Sequence, residues 1–105
     1  MIFIETNLFS KQLSQYLTED EYRELQNYLM GQPDAGVIIQ GTGGLRKLRW
    51  SLSNKGKRGG IRVIYYWHLA EDQIYLMTLY AKNEMEDLSS EEKKILKQMI
   101  ARWKA

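Results

Sequence analysis

The chain has no cysteine, one proline and one histidine, and no apolar run approaches the roughly 18 residues that would suggest a membrane span. Without thiols there can be no disulfide staples and no thiolate zinc site, and a cytosolic setting is permitted. One histidine and no dense carboxylate cluster speak against a catalytic metal centre. The opening MIFIETNLFSKQL has no basic segment followed by a long apolar one, so no leader peptide is expected. The most telling absence is local: between residues 35 and 70 there is not one Asp or Glu.

That acid-free stretch carries seven cations, Arg46, Lys47, Arg49, Lys55, Lys57, Arg58 and Arg62, whereas the remainder of the chain is net acidic. A protein of formal net charge +2 is therefore sharply divided. Segregation of this kind creates a local positive field, for which a polyanion is the natural partner. The 105 residues, 44% of them hydrophobic with three Trp and seven Tyr, are enough for one domain (1–105) with a real core.

Hydrophobic periodicity gives the order β-α-α-β-β-β-α. Ile2 to Glu5 reads as a short strand. Thr6 or Asn7 caps a helix whose apolar positions are Leu8, Phe9, Leu13, Tyr16 and Leu17. Thr18 and Glu21 fit a capping box for a second helix, with Tyr22, Leu25 and Leu29 on one face. That helix stops at Gly31, before Pro33, and the pair reads as a helical hairpin. From Leu45 a strand alternates Leu48, Trp50 and Leu52 with Lys47, Arg49 and Ser51. After the loop SNKGKRGG, Ile61 to Leu69 is the strongest strand, with Arg62, Ile64, Tyr66 and His68 sharing a face. Ile74 to Ala81 is a third, and the three form an antiparallel meander. Ser89 with Glu92 opens a last helix bearing Ile95, Leu96, Met99, Ile100 and Trp103. The expected fold class is α+β: a small antiparallel sheet, a three-strand meander plus the N-terminal strand, with an N-terminal helical hairpin and a C-terminal helix.

Strand parity gathers part of the charge. Lys47 and Arg49 point to one side of their strand, Arg62 stands on the next, and Lys82 follows the third. Paired in sequence order, these four converge on one surface, where like charges repel and a phosphodiester between them would relieve the cost. The ordinary reading is a solvated sheet face; the lack of neighbouring acids favours phosphate. Lys55, Lys57 and Arg58 lie in a glycine-rich loop able to follow a nucleic-acid backbone, although such a loop alone is a weak signal and no P-loop pattern is present. Tyr65, Tyr66, Trp67, Tyr75 and Tyr80 could stack on bases, but strand aromatics are more often core; Tyr66 is the best of them because it shares a face with Arg62. His68 falls on that face too, near the far end of the strand. Glu84, Glu86 and Asp87 read as a solvated acidic connection and not as a metal site.

The stretch GTGGLRKLRW, the loop KGKRGG, the strand IRVIYY and the segment LYAKNE together resemble the RelE/HigB superfamily of bacterial toxins, most closely its phage-protein-like HigB branch. The resemblance covers nearly the whole chain. It implies a RelE-like fold and a cytoplasmic type II toxin that enters the ribosomal A site and cleaves mRNA by attack of the message's own 2′-OH, with no metal or other cofactor. The partners it implies are the 70S ribosome, mRNA and a cognate antitoxin, a helix-turn-helix protein encoded alongside; operator DNA is reached only through that antitoxin, and no membrane is involved. Matched position by position, the catalytic set would be Arg62, Lys82, Lys47 and Arg49. From their charge and placement, Arg46, Lys55, Lys57, Arg58 and Tyr66 are expected to contact RNA or ribosome. Asn83 stands where the best-known pattern has an arginine, and the tyrosine expected soon afterwards is missing from Glu84–Leu88. The residues leave open which group moves a proton. They also leave open a gyrase-inhibiting ParE-like toxin on the same scaffold and a non-catalytic RNA-binding module.

Overall fold

The computed structural model describes residues 1–51, 60–85 and 87–104. The loop cations Lys55, Lys57 and Arg58 lie outside the described residues. The elements run β1 (Ile2–Glu5), α1 (Asn7–Tyr16), α2 (Glu19–Gly31), β2 (Val37–Ile38), β3 (Leu45–Trp50), β4 (Ile61–His68), a 3₁₀ turn (Leu69–Glu71), β5 (Gln73–Ala81) and α3 (Ser90–Lys104).

Side-chain caps fix the helix starts. Thr6 accepts the Phe9 N–H and opens α1. Thr18 and Glu21 form a reciprocal capping box that opens α2. Ser89 and Glu92 do the same ahead of α3. Each cap satisfies backbone N–H groups that the first helical turn leaves without intrahelical partners.

The five strands form one sheet in the order β1-β5-β4-β3-β2. The meander β3-β4-β5 is antiparallel, as its short connections predict. Two features extend the expected sheet. β1 lies beside β5 and runs parallel to it, so the sheet is mixed. The short β2 adds an outer edge, with Val37 opposite Lys47.

Both faces are covered, which is why β4 and β5 are apolar almost throughout. Phe9, Leu17, Leu25 and Leu29 of the helical hairpin pack with Leu48, Val63, Tyr65 and Leu76 on one face. On the other, Leu96 and Ile100 of α3 pack with Leu45, Ile64, Tyr66, Met77 and Tyr80.

The register between β4 and β5 shifts between Ile64 and Tyr65: Ile64 lies opposite Thr78, and Tyr65 opposite Leu76. The extra residue reverses the alternation of β5. Tyr75 and Met77 belong to the α3 face before it, and so does Tyr80 after it. A bulge of this kind re-aims the side chains beyond it. Here it delivers Tyr80 to the face that carries Arg62.

Candidate phosphate-binding site

Three strands meet at one end of the α3 face. Arg49 is directly opposite Arg62, and Arg62 is directly opposite Tyr80. Cross-strand neighbours of this kind hold their Cβ atoms about 5 Å apart. Lys47 lies two residues from Arg49 on the same face, about 7 Å along the strand. Lys82 follows β5 in an exposed turn, and its N–H donates to the Gly60 carbonyl at 3.3 Å, two residues before Arg62. The structure thus brings Lys47, Arg49, Arg62 and Lys82 to one end of the sheet, as parity predicts.

The four differ in setting. Arg62 is 6% exposed although it carries a full charge. Arg49 and Lys82 are exposed, and Lys47 is partly buried. A guanidinium held in so dry a position has its field less screened than a surface cation. Gly60 shapes the approach to it. Its φ is +55°, and a Cβ there would stand 2.4 Å from the Trp50 carbonyl oxygen. Only glycine lets the chain turn into β4 that close to the end of β3.

Two acidic residues read as a solvated connection are in fact engaged. Asp87 pairs with Lys47, with 3.6 Å between Oδ1 and Nζ, and the same carboxylate accepts the Leu88 N–H. Glu84 accepts the Tyr16 hydroxyl of α1 and the Ala81 N–H. Glu86 lies outside the described residues. Lys47, Arg49 and Arg62 have no acidic neighbours in sequence, but Asp87 reaches Lys47 across 40 residues.

Tyr80 shares the face of Arg62, a placement that the apolar run of β5 does not reveal. Tyr80 is 4% exposed, and its hydroxyl has no hydrogen-bond partner among the described residues. Burial first, then the Asp87 carboxylate, push its phenol up from its ordinary value, with Glu92 adding to the effect and Arg62 opposing it. The group is a donor wherever the protein is folded near neutral pH.

Other candidates fall elsewhere. Arg46 has the opposite parity and faces the hairpin side, where it donates to the carbonyls of Asp34 and Gly36. Tyr66 shares the face of Arg62 but is 6% exposed and packs beside Tyr75 and His68. Tyr65 is fully buried, and its hydroxyl ties Gly36 to Pro33. Tyr75 stacks on Trp103 of α3 at 4.2 Å. His68 lies opposite Gln73 at the far end of β4, about 20 Å from Arg62 along the strand. That span removes it from chemistry at Arg62.

The arrangement gathers one buried arginine, a second arginine opposite it on the neighbouring strand, two lysines and a buried tyrosine at one end of the sheet. Solved structures with the same fold carry toxin names. The isolated RelE toxin of E. coli aligns over 93% of this chain and 97% of its own, at 12% identity and a TM-score of 0.55. The toxin of the intact E. coli RelBE toxin–antitoxin complex aligns over 76% and 94%, at 10% identity and a TM-score of 0.56. The archaeal RelE–RelB complex from Pyrococcus horikoshii gives 24% identity over 80% and 97%, with a TM-score of 0.50. At these identities the likeness establishes the fold. The family model described as the RelE toxin of the RelE/RelB toxin–antitoxin system matches residues 5–105, and by that near-complete match the chain belongs to the RelE toxin family.

Proposed function

We propose that this toxin is a ribosome-dependent endoribonuclease that cleaves mRNA in the A site through metal-independent attack of a 2′-OH, and that an adjacent-encoded antitoxin restrains it. The observation that carries the reading is the Arg49–Arg62 pair, two guanidiniums placed opposite each other on a rigid sheet, with Lys47 and Lys82 at the same end. Two like charges in that position are costly unless an anion lies between them.

The chemistry follows from the charge. The 2′ oxygen forms a bond to the adjacent phosphorus and gives up its proton; the bond from phosphorus to the 5′ oxygen breaks, and that oxygen takes up a proton. A 2′,3′-cyclic phosphate and a 5′-hydroxyl remain. Negative charge grows on the non-bridging oxygens in between. Arg62 is suited to hold it, being buried and able to bind two oxygens at once. Arg49 supplies the second guanidinium. Lys47 and Lys82 stand at the same end of the sheet, and either can serve in proton transfer. The ribosome contributes by positioning the message, which can supply several kcal/mol of the barrier.

A surface for a protein partner is also present. Leu8 and Ile95 are about half exposed and flank an apolar cleft lined by Ile4, Met99 and Trp103. Apolar side chains grouped in this way mark interaction sites. The matched toxin structures include complexes with RelB, which supports an antitoxin partner for this chain.

The test is cleavage of mRNA on translating ribosomes by purified protein, with 5′ ends mapped after induction in cells. Arg62→Ala should stay folded and lose roughly 10²–10³ in cleavage rate. Intact mRNA with wild-type protein would sink the reading; arrested replication with translation continuing would point instead to a gyrase poison on this scaffold.

A further inference from the structure

Three observations at the cationic end of the sheet belong together. The Tyr80 hydroxyl is buried without a hydrogen-bond partner among the described residues, whereas buried hydroxyls are almost always satisfied. Tyr80 lies directly opposite Arg62, on the same face, because the bulge in β5 places it there. Asp87, which follows β5 and precedes α3, brings a carboxylate to Lys47 and close enough to Tyr80 to act on its phenol.

We propose that the Tyr80 hydroxyl is a further phosphate ligand of this site, and that Asp87 is the internal anion that an incoming phosphate displaces. The inference rests on reading the cationic row as a phosphate site and adds two residues to it. A phenol donor beside Arg62 completes the coordination of a phosphate oxygen that the guanidinium contacts from the other side. An unpartnered donor gains a full hydrogen bond when that oxygen arrives, and it gives up none to make it.

The Asp87 side of the exchange is equally favourable. Its pair with Lys47 is long at 3.6 Å and half exposed, with side-chain exposures of 30% for Lys47 and 52% for Asp87. Pairs of that kind add little to stability and are readily replaced. A phosphodiester carries the same single charge with more acceptor oxygens, so it replaces the carboxylate on Lys47 and reaches Arg62 and Arg49 as well. Leu88, next to Asp87, packs in the same cluster as Tyr80, so release of Asp87 loosens the cover over the phenol.

The experiment measures binding of a short 2′-O-methyl RNA oligonucleotide to full-length protein in low salt, with no ribosome present. Three variants are compared with wild type: Tyr80→Phe, Asp87→Asn and the double variant. Phe preserves the packing of Tyr80, and Asn can still accept the Leu88 N–H, so both should fold; thermal melts check this. Asp87→Asn should tighten binding roughly threefold to tenfold. Tyr80→Phe should weaken it roughly tenfold, in both backgrounds. A merely structural Tyr80 would shift the melt and leave affinity unchanged. Unchanged affinity for Tyr80→Phe, or no gain from Asp87→Asn, overturns the proposal. The probe has no reactive 2′-OH, so its outcome is independent of cleavage. Ribosomal cleavage together with unaltered oligonucleotide binding by the variants rejects the roles of Tyr80 and Asp87 and keeps the endoribonuclease. The expected binding changes without ribosomal cleavage keep those roles and reject the endoribonuclease.

Discussion

Arg49 of β3 and Arg62 of β4 are cross-strand neighbours on the α3 face of the sheet. A position chosen for stability would put an acid or an apolar side chain opposite a buried arginine. Replacing Arg49 with Gln should therefore stabilise the fold by about 0.2–1 kcal/mol, since directly opposed like charges are destabilising by that order. The same change should lower mRNA cleavage by tenfold or more, because one of two guanidiniums facing the phosphate is gone. Urea denaturation and a ribosomal cleavage assay on the same preparation give both numbers. A variant that is less stable and fully active would contradict the assignment twice.

Gly60 makes a second test of how the backbone serves the site. Its φ of +55° costs an alanine of order 1 kcal/mol or more, and the added Cβ would meet the Trp50 carbonyl at 2.4 Å. The strand cannot yield without moving Ile61 and Arg62. Gly60→Ala should destabilise the protein by about 2 kcal/mol or more and reduce cleavage beyond what the loss of folded protein explains. The unfolding midpoint and the activity per folded molecule separate the two effects.

What could be read in advance follows from the range of each interaction. Caps are local, so Thr6, Thr18 with Glu21, and Ser89 with Glu92 were legible from spacing alone. The Arg49–Arg62 relationship was legible because strand parity and sequential pairing are strong rules. Tyr80 was named only as one of several aromatics, and its place beside Arg62 escaped because QIYLMTLYA is apolar on both faces and a bulge inside such a strand leaves no break in the pattern. Asp87 escaped because its partner is 40 residues away. Arg46 differs from Lys47 by one position in sequence and by one face of the sheet, so its carbonyl partners depend on where the chain between α2 and β2 passes. The parallel pairing of β1 with β5 joins the first strand of the chain to the last, and no local signal announces it.

The passage from α2 to β2 is tied to the sheet by Arg46 and by the Tyr65 hydroxyl. Tyr65 accepts the buried Gly36 N–H at 2.8 Å and donates to the Pro33 carbonyl at 2.7 Å. Tyr65→Phe leaves a buried N–H without a partner, at a cost of about 1–3 kcal/mol. The residue is on the hairpin face, away from Arg62, so activity per folded molecule should be unchanged. Gly36→Ala should do comparable harm, because its Cβ would stand 2.8 Å from Tyr65 Cε1 and 3.0 Å from the Tyr65 hydroxyl. Chemical denaturation checks both, and preserved stability in Tyr65→Phe would remove this account of the turn.

Alkaline stability gives the last prediction. Tyr16 of α1 donates to Glu84, and that carboxylate raises the phenol from 10.0 to about 12, with burial adding to the shift. The folded protein therefore holds this proton more tightly than the unfolded chain. Between those two values the folded state binds more protons, so stability falls as pH rises. The contribution is fully present below pH 10 and lost as pH passes about 12. Tyr16→Phe removes this titration. The stability difference between wild type and Tyr16→Phe should be constant from pH 7 to about 10 and shrink towards pH 12. Since Glu84 also accepts the Ala81 N–H just before Lys82, the variant should loosen the turn that carries Lys82 while leaving Arg62 in place. Denaturant titrations across that pH range measure the first effect. A difference that stays constant through pH 12 would show that the phenol–carboxylate bond does not contribute to holding the segment after β5.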